Sequence, residues 1–322
     1  MKAAVHDRYG PPEVVRVVEV DDPSIGDQDV LVRVHATTVN RTDCGYRSAK
    51  PFFIRLITGL AKPRRRVLGT EYAGVVEAAG AGVTAFTVGD RVFGYNEGAF
   101  GTHAEYLSVP QGGAIATMPT GVTFEEVAPG TEGAHYALSF IETAGVRAGY
   151  DVLVYGATGA IGSAAVQLLK HRGATVTAVC ETAHLELVKG LGADRVVDYT
   201  TRDFTKDEQS YDAVFDAVGK STFGRCRRLL KPRGVYLSSD LGPWWQNILL
   251  PLVTPLFRGR KVKFPLPKQG QDMVQSFRDL IETGEFRPVI DRRYPLDQIV
   301  DAYRYVETGR KIGNVVITIV PD

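Results

Sequence analysis

One segment, residues 152–162, constrains the fold of this chain more than any other. It is an apolar strand that runs into a glycine-rich turn, and a helical pattern follows over residues 163–171. Gly159 lets the backbone approach a pyrophosphate, Gly162 lets the helix pack close to its strand, and the free N–H groups at the helix start attract phosphate. Ala157 stands where the usual pattern has its first glycine. The segment predicts a dinucleotide-binding turn.

A second strand pattern, 174–180, follows this turn at the expected distance and ends at Glu181. An acid about 20 residues past such a turn can accept hydrogen bonds from both ribose hydroxyls, which predicts a nicotinamide cofactor. Tyr199 is expected beside the adenine, and residues 217–219 are expected at the carboxyl ends of the strands; ordinary packing is the alternative for Tyr199 and Val218. The cofactor-binding candidates here are Gly156, Thr158, Gly159, Ala160, Ile161, Gly162, Glu181, Thr182, His184, Tyr199, Ala217, Val218 and Gly219.

Length and charge narrow the function classes. A chain of 322 residues has room for about two domains. Its 38 basic and 37 acidic residues are interspersed. The protein surface as a whole therefore has no positive electrostatic field that would attract nucleic acid or an anionic membrane. The basic cluster 62–66 is the exception, and we interpret it as a solvated loop.

The cysteines and the N-terminus favour a cytoplasmic protein. Cys44, Cys180 and Cys226 lie at no metal-like spacing, and residues 1–5 lack the apolar core of a signal peptide. The apolar run Trp244–Phe257 is interrupted by two prolines and is shorter than the ~20 residues that a spanning helix needs. We therefore expect no membrane span, and we expect that run to line a pocket or a subunit contact.

Two domains are predicted from the order of the patterns. Residues 1–123 contain short strand patterns with Gly and Pro between them, and a capping box at Thr123 and Glu126 opens a helical stretch. From residue 151 onward strands and helices alternate, which favours a parallel sheet covered on both faces. We expect a β-rich domain over 1–123, completed by 267–322, and a cofactor domain over 124–266. Elements expected late in the chain include a helix at 221–230, a turn at 288–290, a helix at 296–307 and a strand at 314–320.

Several motifs in order carry a family resemblance over essentially the whole chain. They are Ala36–Asp43, Leu68–Gly74, Val88–Val92, the glycine turn, Phe215–Gly219 and Tyr303–Ile317. The chain resembles the medium-chain dehydrogenase/reductase superfamily, in its zinc-independent quinone oxidoreductase branch, which includes zeta-crystallin. The resemblance implies an α/β protein with a GroES-like β-rich catalytic domain and a Rossmann domain built on a doubly wound parallel sheet. It also implies a nicotinamide in the cleft between the domains, and hydride transfer.

The departures from the superfamily pattern concern zinc. Zinc-dependent members have a metal cysteine where this chain has Asn40, and a metal histidine where it has Thr70. The lobe of four closely spaced cysteines that holds their structural zinc is also missing. We therefore expect no zinc. Without that Lewis acid the oxidation of simple alcohols is disfavoured.

Reduction of an acceptor that is already electrophilic stays feasible without a metal. Positioning against the nicotinamide C4 and hydrogen bonds to a developing oxyanion then suffice. We expect a quinone or an α,β-unsaturated carbonyl as the small-molecule substrate. Two alternatives stay open: a zinc-free alcohol dehydrogenase, and a non-catalytic, crystallin-like or redox-sensing nucleotide-binding protein.

Three residues of the first domain are the catalytic candidates. Asn40 could donate to the substrate carbonyl or to the nicotinamide ribose, and its alternative is a turn-capping residue. Tyr46 and Tyr72 could line the substrate slot and supply a hydroxyl, or could be core residues. Tyr46 and Lys50 have the Tyr-x-x-x-Lys spacing of short-chain dehydrogenases, but they precede the glycine turn in a β-rich domain, so we treat the match as accidental. Thr131 is expected to touch the nicotinamide.

The choice between NAD(H) and NADP(H) depends on the loop after the second strand. NADP(H)-using relatives that this chain resembles show Ser-Thr-Arg there, whereas this chain has residues 181–184, Glu-Thr-Ala-His. Glu181 would repel a 2′-phosphate, so NADH is favoured slightly; His184 or Lys189 could partly compensate. Near the C-terminus, Asn314 replaces a basic residue, and Lys311 is the alternative phosphate contact. The resemblance also implies a homodimer, joined near 235–238 and 261–264.

Overall fold

The computed structural model describes residues 1–257, 259–267 and 269–320. It divides into two compact units. The first unit comprises Met1–Glu132, Gln269–Gly284 and Pro288–Asp322, and the second comprises Gly133–Lys268 and Glu285–Arg287. The division near residue 132 falls within the helical stretch that follows the predicted boundary at 123.

The strands and helices have the following bounds. The strands are β1 Lys2–His6, β2 Val15–Glu19, β3 Asp29–Val39, β4 Glu71–Ala79, β5 Arg91–Tyr95, β6 Tyr106–Pro110, β7 Ile115–Thr117, β8 Asp151–Tyr155, β9 Thr175–Cys180, β10 Arg195–Asp198, β11 Tyr211–Asp216, β12 Leu230–Ser238, β13 Lys261–Val262, β14 Ile290–Pro295 and β15 Asn314–Thr318. The α-helices are α1 Arg41–Ser48, α2 Ile54–Thr58, α3 Phe124–Val127, α4 Glu132–Ala144, α5 Ala160–His171, α6 Leu185–Gly190, α7 Phe223–Cys226, α8 Gln246–Val253, α9 Gln271–Glu282 and α10 Ile299–Glu307. Short 3-10 helices cover Pro12–Val14, Ala128–Gly130, Thr182–His184, Phe204–Lys206, Arg227–Leu229, Pro243–Trp245, Thr254–Leu256 and Leu296–Gln298.

The second unit is built on a six-stranded sheet in the order β10-β9-β8-β11-β12-β13. Each neighbouring pair is parallel. The central strand β8 carries Val152, Leu153 and Val154 fully buried, as expected of a strand covered on both faces. The strand order reverses at β8, and ligands of such sheets bind at the carboxyl end of that switch point. The doubly wound Rossmann prediction is confirmed.

The first unit is dominated by a seven-stranded sheet. Its path is β14-β15-β3-β4-β5-β7, and β6 also pairs with β3. Every pairing is antiparallel apart from the parallel pair of β14 and β15. Along β3, Val30, Val32 and Val34 point to the core at period two and are fully buried. The GroES-like β-rich prediction is confirmed.

Two local expectations differ from the structure. The domain expected to be β-rich also contains helix α1 around residue 46, for which no expectation was stated. The turn expected at 288–290 leads directly into strand β14, and the helix expected at 221–230 is only the one turn of α7 followed by a 3-10 turn. A short helix that packs on a sheet needs few apolar residues, so its periodic signal is weak.

The apolar run Trp244–Phe257 forms the short helix α8 and its flanking turns. Much of it is exposed: Trp244 to 93%, Leu252 to 72% and Leu256 to 80%. Pro251 lies inside α8. Within the described ranges, no helix has the length and apolar character needed to cross a bilayer.

Candidate functional site

The glycine turn of the second unit leaves backbone donors open for an anion. Gly159 is the N-cap of α5 with φ −73° and ψ 171°, and no side chain caps the helix. The N–H groups of a first helical turn have no partner within the helix, and the helix dipole favours negative charge there. A Cβ atom built on Gly159 meets nothing closer than the Gly156 carbonyl oxygen at 3.7 Å. The turn therefore fits a pyrophosphate over Gly159.

Two other glycines of the turn are required by packing. A Cβ on Gly162 would lie 2.1 Å from the Gly156 carbonyl oxygen, so α5 approaches the strand too closely for any side chain. Gly156 has φ +81°, and its Cβ would lie 2.3 Å from Cγ1 of Val218. Val218 is therefore brought against the turn. The remaining candidates of the turn, residues 158, 160 and 161, are half-buried at its surface.

Asp216, at the end of β11, organises the loop of the candidates Ala217–Gly219. Its carboxylate accepts hydrogen bonds from the backbone N–H groups of Gly219 (2.8 Å) and Ser221 (2.8 Å) and from the Tyr236 hydroxyl (3.1 Å). The carboxylate is fully buried, and burial raises its pKa. Asp216 lies within the motif Phe215–Gly219, but sequence reasoning missed this positioning role. Its place at the end of a strand could have suggested the role.

We predict that Asp216→Asn weakens dinucleotide binding by about tenfold, equivalent to ~1.4 kcal/mol. The amide nitrogen cannot accept the backbone hydrogen bonds that one carboxylate oxygen now accepts, so the 217–219 loop loosens. Fluorescence titration of the nicotinamide measures the effect. Asp212→Asn on the same strand is the control, because Asp212 contacts Lys231 and the Asp151 N–H and makes no contact with the 217–219 loop among the hydrogen bonds of the described residues. Equal binding by wild type and Asp216→Asn would refute the positioning role.

The acid after β9 is placed where the sequence predicts a ribose contact. Glu181 follows directly on β9, its side chain is 44% exposed, and its Oε1 lies 3.1 Å from Nε2 of His184. Thr182 donates its hydroxyl to Asp198, at 2.6 Å. Glu181 thus presents its carboxylate at the carboxyl edge of the parallel sheet, where ligands of this fold bind.

A pocket of 330 Å³ opens at the same edge of the second unit. Tyr155 stacks on Phe204 with ring centroids 4.5 Å apart, and Tyr199 meets Tyr155 edge-on at 6.4 Å. Arg202 and Arg225 also line the pocket. Sequence reasoning named Tyr199 alone, because the other members come from separate segments that only the fold brings together.

In the first unit, Asn40 is both the N-cap of α1 and a partner of Thr70. Its Oδ1 accepts from the Asp43 N–H at 2.9 Å, and its Nδ2 donates to the Thr70 hydroxyl at 2.7 Å. The turn-capping interpretation is thus what the structure shows; a further bond to a ligand stays a prediction. The two residues that stand at the family's zinc-ligand positions bond to each other.

A buried carboxylate, Glu71, holds the start of the helical stretch. It accepts from the Thr131 N–H (3.1 Å), the Thr131 hydroxyl (3.0 Å) and the Glu132 N–H (2.6 Å), and its other oxygen accepts from Thr38 (2.7 Å). Thr131 is fully buried and engaged by these bonds. The nicotinamide contact expected of Thr131 stays a prediction, and Glu71 is a residue that sequence reasoning quoted only within a motif.

The acids around Glu71 share one buried environment. Burial raises the pKa of Glu71, and it raises the pKa of Asp43 to about 8. Burial, and then the neighbouring Glu71, raise the pKa of Glu132 well above its usual range. Burial lowers the pKa of Lys311, and the nearby carboxyls of Glu132 and Glu71 act in the opposite direction.

The two C-terminal candidates are engaged within the first unit. Lys311 donates its ammonium to the Gly313 carbonyl, and Asn314 donates its amide to the Val289 carbonyl at 3.0 Å. These contacts fix the turn that leads into β15. A role for Lys311 or Asn314 in phosphate binding stays a prediction.

The two tyrosine candidates differ in burial. Tyr46 is half-buried on α1, its ring lies 4.6 Å from that of Phe100, and burial raises its pKa. Tyr72 is fully buried among core valines, where burial raises its pKa strongly. Of the two, Tyr46 has the more exposed surface, and a role for either tyrosine in the site stays a prediction.

Comparison with known proteins matches both units. The model of the alcohol dehydrogenase GroES-like domain matches residues 26–120, and that of the zinc-binding dehydrogenase matches residues 191–317. The 2-methylene-furan-3-one reductase of Solanum lycopersicum is 32% identical, over all of this chain and 80% of the relative. The chain belongs to the medium-chain dehydrogenase/reductase superfamily, in its zinc-independent quinone oxidoreductase branch. The predicted family is confirmed.

Further relatives of this medium-chain reductase agree with the assignment. The chloroplastic NADPH-dependent alkenal/one oxidoreductase of Arabidopsis thaliana is 31% identical, over all of this chain and 80% of the relative. The structure of the quinone oxidoreductase from Coxiella burnetii superposes with a TM-score of 0.87 at 26% identity, over 99% of both chains. The chain is therefore an oxidoreductase with a nicotinamide cofactor. Among the residues that the structure describes, no group of three or more His, Cys, Asp or Glu side chains could hold a metal ion.

Proposed function

We propose that this medium-chain reductase transfers hydride from NADH or NADPH to a quinone or an α,β-unsaturated carbonyl. The observation that carries the proposal is the hydrogen bond between Asn40 and Thr70. These two residues stand at the positions that bind zinc in metal-dependent members. Neither side chain is a thiolate or an imidazole, so the pair offers no Lewis-acid ligand set. The relatives named for a furanone and for alkenals and enones support this acceptor class.

The chain's own residues bind and orient in this mechanism. The open N–H groups of α5 would hold the pyrophosphate, and the loop supported by Asp216 would help to orient the dinucleotide. When bound, the nicotinamide supplies the hydride. An enone accepts that hydride at its β-carbon, the electron pair moves to the carbonyl oxygen, and the α-carbon takes a proton from water. Such an acceptor is already polarised, so positioning and hydrogen bonding replace metal activation.

We propose that NADH serves at least as well as NADPH. The Glu181 carboxylate lies at the edge where a 2′-phosphate would sit, and two anions repel each other there. The adenine would occupy the 330 Å³ pocket beside Tyr199, a residue that is 45% exposed. Arg202 and Arg225 of that pocket carry the opposing charge, so the expected preference is small. Each of them also lies within 4.0 Å of an acid, Asp207 and Asp203 respectively, which offsets part of that charge.

Steady-state kinetics test the proposed reaction. We expect oxidation of NADH on addition of a quinone or an enone, followed as loss of nicotinamide absorbance, and we expect simple alcohols with NAD⁺ to react more slowly than either acceptor. A protein that binds the dinucleotide but turns over none of the acceptors would be the non-catalytic alternative. Faster turnover of simple alcohols would make it a zinc-free alcohol dehydrogenase.

We predict that the active protein contains no zinc. Asn40 and Thr70 hydrogen-bond to each other at the lost ligand positions, and the chain has no cluster of four cysteines. Elemental analysis of the purified protein checks this, together with activity after dialysis against a chelator. Stoichiometric zinc whose removal abolishes activity would contradict the proposal.

We further propose a homodimer formed at the edge of the parallel sheet. β13 lies at that edge, whereas β12 is paired on both sides, so only the 261–264 part of the predicted contact has free strand positions. Light scattering at micromolar concentration should give twice the chain mass, and a monomer mass would count against the dimer.

We also propose a cytoplasmic location. The three cysteines are free, which suits a reducing compartment: Cys44, Cys180 and Cys226.

A further inference from the structure

An exposed apolar ridge lies on the first unit, beside the basic cluster at residues 62–66. The ridge is formed by α2 and the residues on either side of it. Phe52 is 71% exposed, Leu56 68%, Ile57 65% and Leu60 67%. Isolated exposed apolar side chains are ordinary, but four large ones within nine residues form a patch of the kind that marks an interaction surface. We call residues 52–66 the docking segment.

The inner side of the docking segment is tied to the body of the unit. The Tyr9 hydroxyl bonds the Thr58 hydroxyl at 2.7 Å and donates to the Gly59 carbonyl at 2.7 Å. The Arg55 guanidinium lies 4.9 Å from the Tyr9 ring centre and 5.2 Å from that of Phe52. These contacts fix the segment from beneath and leave its apolar side chains facing outward.

The charge of the docking segment is of one sign. Between Asp43 and Glu71 the sequence contains no acidic residue. Lys62, Arg64 and Arg65 are exposed, and none of them forms an ion pair within the described part of the chain. Arg66 is the exception, because it pairs with Asp7 at 2.6 Å. Three cationic side chains thus lie beside four exposed apolar side chains, a combination that suits an anionic partner with an apolar layer.

We propose that the docking segment binds the surface of an anionic lipid bilayer. An apolar ridge can insert at the boundary between headgroups and acyl chains while adjacent cations contact lipid phosphates and carboxylates. This combination suits a bilayer better than a nucleic acid, which offers the phosphates but no apolar layer. The segment contains none of the residues assigned to cofactor or acceptor, so membrane binding stands independently of the proposed reaction.

Sedimentation with lipid vesicles tests the docking. We expect the full chain to pellet with phosphatidylcholine vesicles that contain phosphatidylserine, and to stay in solution with pure phosphatidylcholine. Salt at about 1 M, where the screening length is ~3 Å, should release it. The triple change Lys62→Gln, Arg64→Gln and Arg65→Gln should lower the partition coefficient by about 100-fold, since each cation contributes ~1 kcal/mol near an anionic surface.

A matched control separates position from net charge. Arg172→Gln, Arg227→Gln and Arg233→Gln remove the same charge from exposed sites of the second unit and should leave vesicle binding unchanged. Leu56→Ser, Ile57→Ser and Leu60→Ser should also reduce binding, which separates insertion from attraction alone. Turnover and circular dichroism should match wild type in the charge variants, because the removed side chains are exposed and form no ion pair with any residue that the structure describes.

Several outcomes would overturn the proposal. They are failure of wild type to bind anionic vesicles, equal binding by wild type and the Lys62/Arg64/Arg65 variant, and equal loss in the control variant. A fourth is release of the vesicle-bound protein by an oligonucleotide at low salt, which would assign the surface to nucleic acid. A fifth is that the Leu56/Ile57/Leu60 variant has a lower molecular mass in solution than wild type but binds vesicles equally well. The ridge would then be the contact with a second copy of the chain.

Discussion

Gly159→Val should abolish dinucleotide binding while the protein stays folded. The backbone at this position, φ −73° and ψ 171°, suits valine, and its Cβ has only the Gly156 carbonyl oxygen within 4 Å. The added methyl groups would fill the space over the N–H groups of α5 where the pyrophosphate should lie. We expect the dissociation constant for NADH to rise by at least about 100-fold, equivalent to ~2.7 kcal/mol.

Two other glycines make this test specific. Gly162→Val should unfold or strongly destabilise the second unit, since its Cβ would lie 2.1 Å from a backbone oxygen. Gly98→Val, with no atom within 4 Å of its Cβ, should leave binding and stability unchanged. Fluorescence titration and thermal unfolding distinguish the three variants. Unchanged NADH affinity in a folded Gly159→Val protein would remove the pyrophosphate from this turn.

The double change Glu181→Ser and Ala183→Arg should shift cofactor preference toward NADPH. It removes the carboxylate that repels a 2′-phosphate and supplies a guanidinium fork that can hold it. One charge-assisted contact is worth ~1 to 3 kcal/mol, which corresponds to roughly 5- to 150-fold in the ratio of kcat/KM values. The measurement is kcat/KM for NADH and NADPH with one quinone and one enone, before and after the change.

The control for this change is Glu186→Gln. Glu186 is an acid of helix α6, it is 86% exposed, and it pairs with Lys189, so its loss should leave the preference unaltered. A preference of the wild-type enzyme for NADPH of more than about tenfold would contradict the role given to Glu181. The arginines of the pocket, Arg202 and Arg225, would then be the phosphate partners, and their replacement by Gln should remove the preference.

The sequence predicted the second unit well because its signals are local. A buried strand, a glycine turn and a helix follow one another over residues 152–171, and they predict the switch point without any distant contact. The turn also indicated which glycines matter. It could not show that Gly162 excludes a side chain by packing whereas Gly159 leaves space, because that distinction depends on atoms brought together by the fold.

The candidate site of the first unit was harder to predict because its contacts join distant segments. Thr131 is held by Glu71, and Asn40 by Thr70, through side-chain hydrogen bonds that have no local pattern. Helix α1 had one local signal, the capping box of Asn40 and Asp43, which sequence reasoning did not use. Tyr72 differs again: its place in a motif predicts a site role, which stays a prediction, and its burial among core valines has no local signal in the sequence.

Isotope transfer tests the central claim most directly. Wild-type enzyme is incubated with NADH carrying deuterium at C4, on the face from which hydride is transferred, and with an α,β-unsaturated ketone, and the saturated product is examined by NMR and mass spectrometry. Direct hydride transfer predicts one deuterium at the β-carbon, and in deuterated water with ordinary NADH the label should appear at the α-carbon instead. Two results would contradict the assignment of this chain as an enone and quinone reductase. One is a saturated product whose β-hydrogen comes from water, and the other is an allylic alcohol in which the carbonyl is reduced and the C=C double bond is intact.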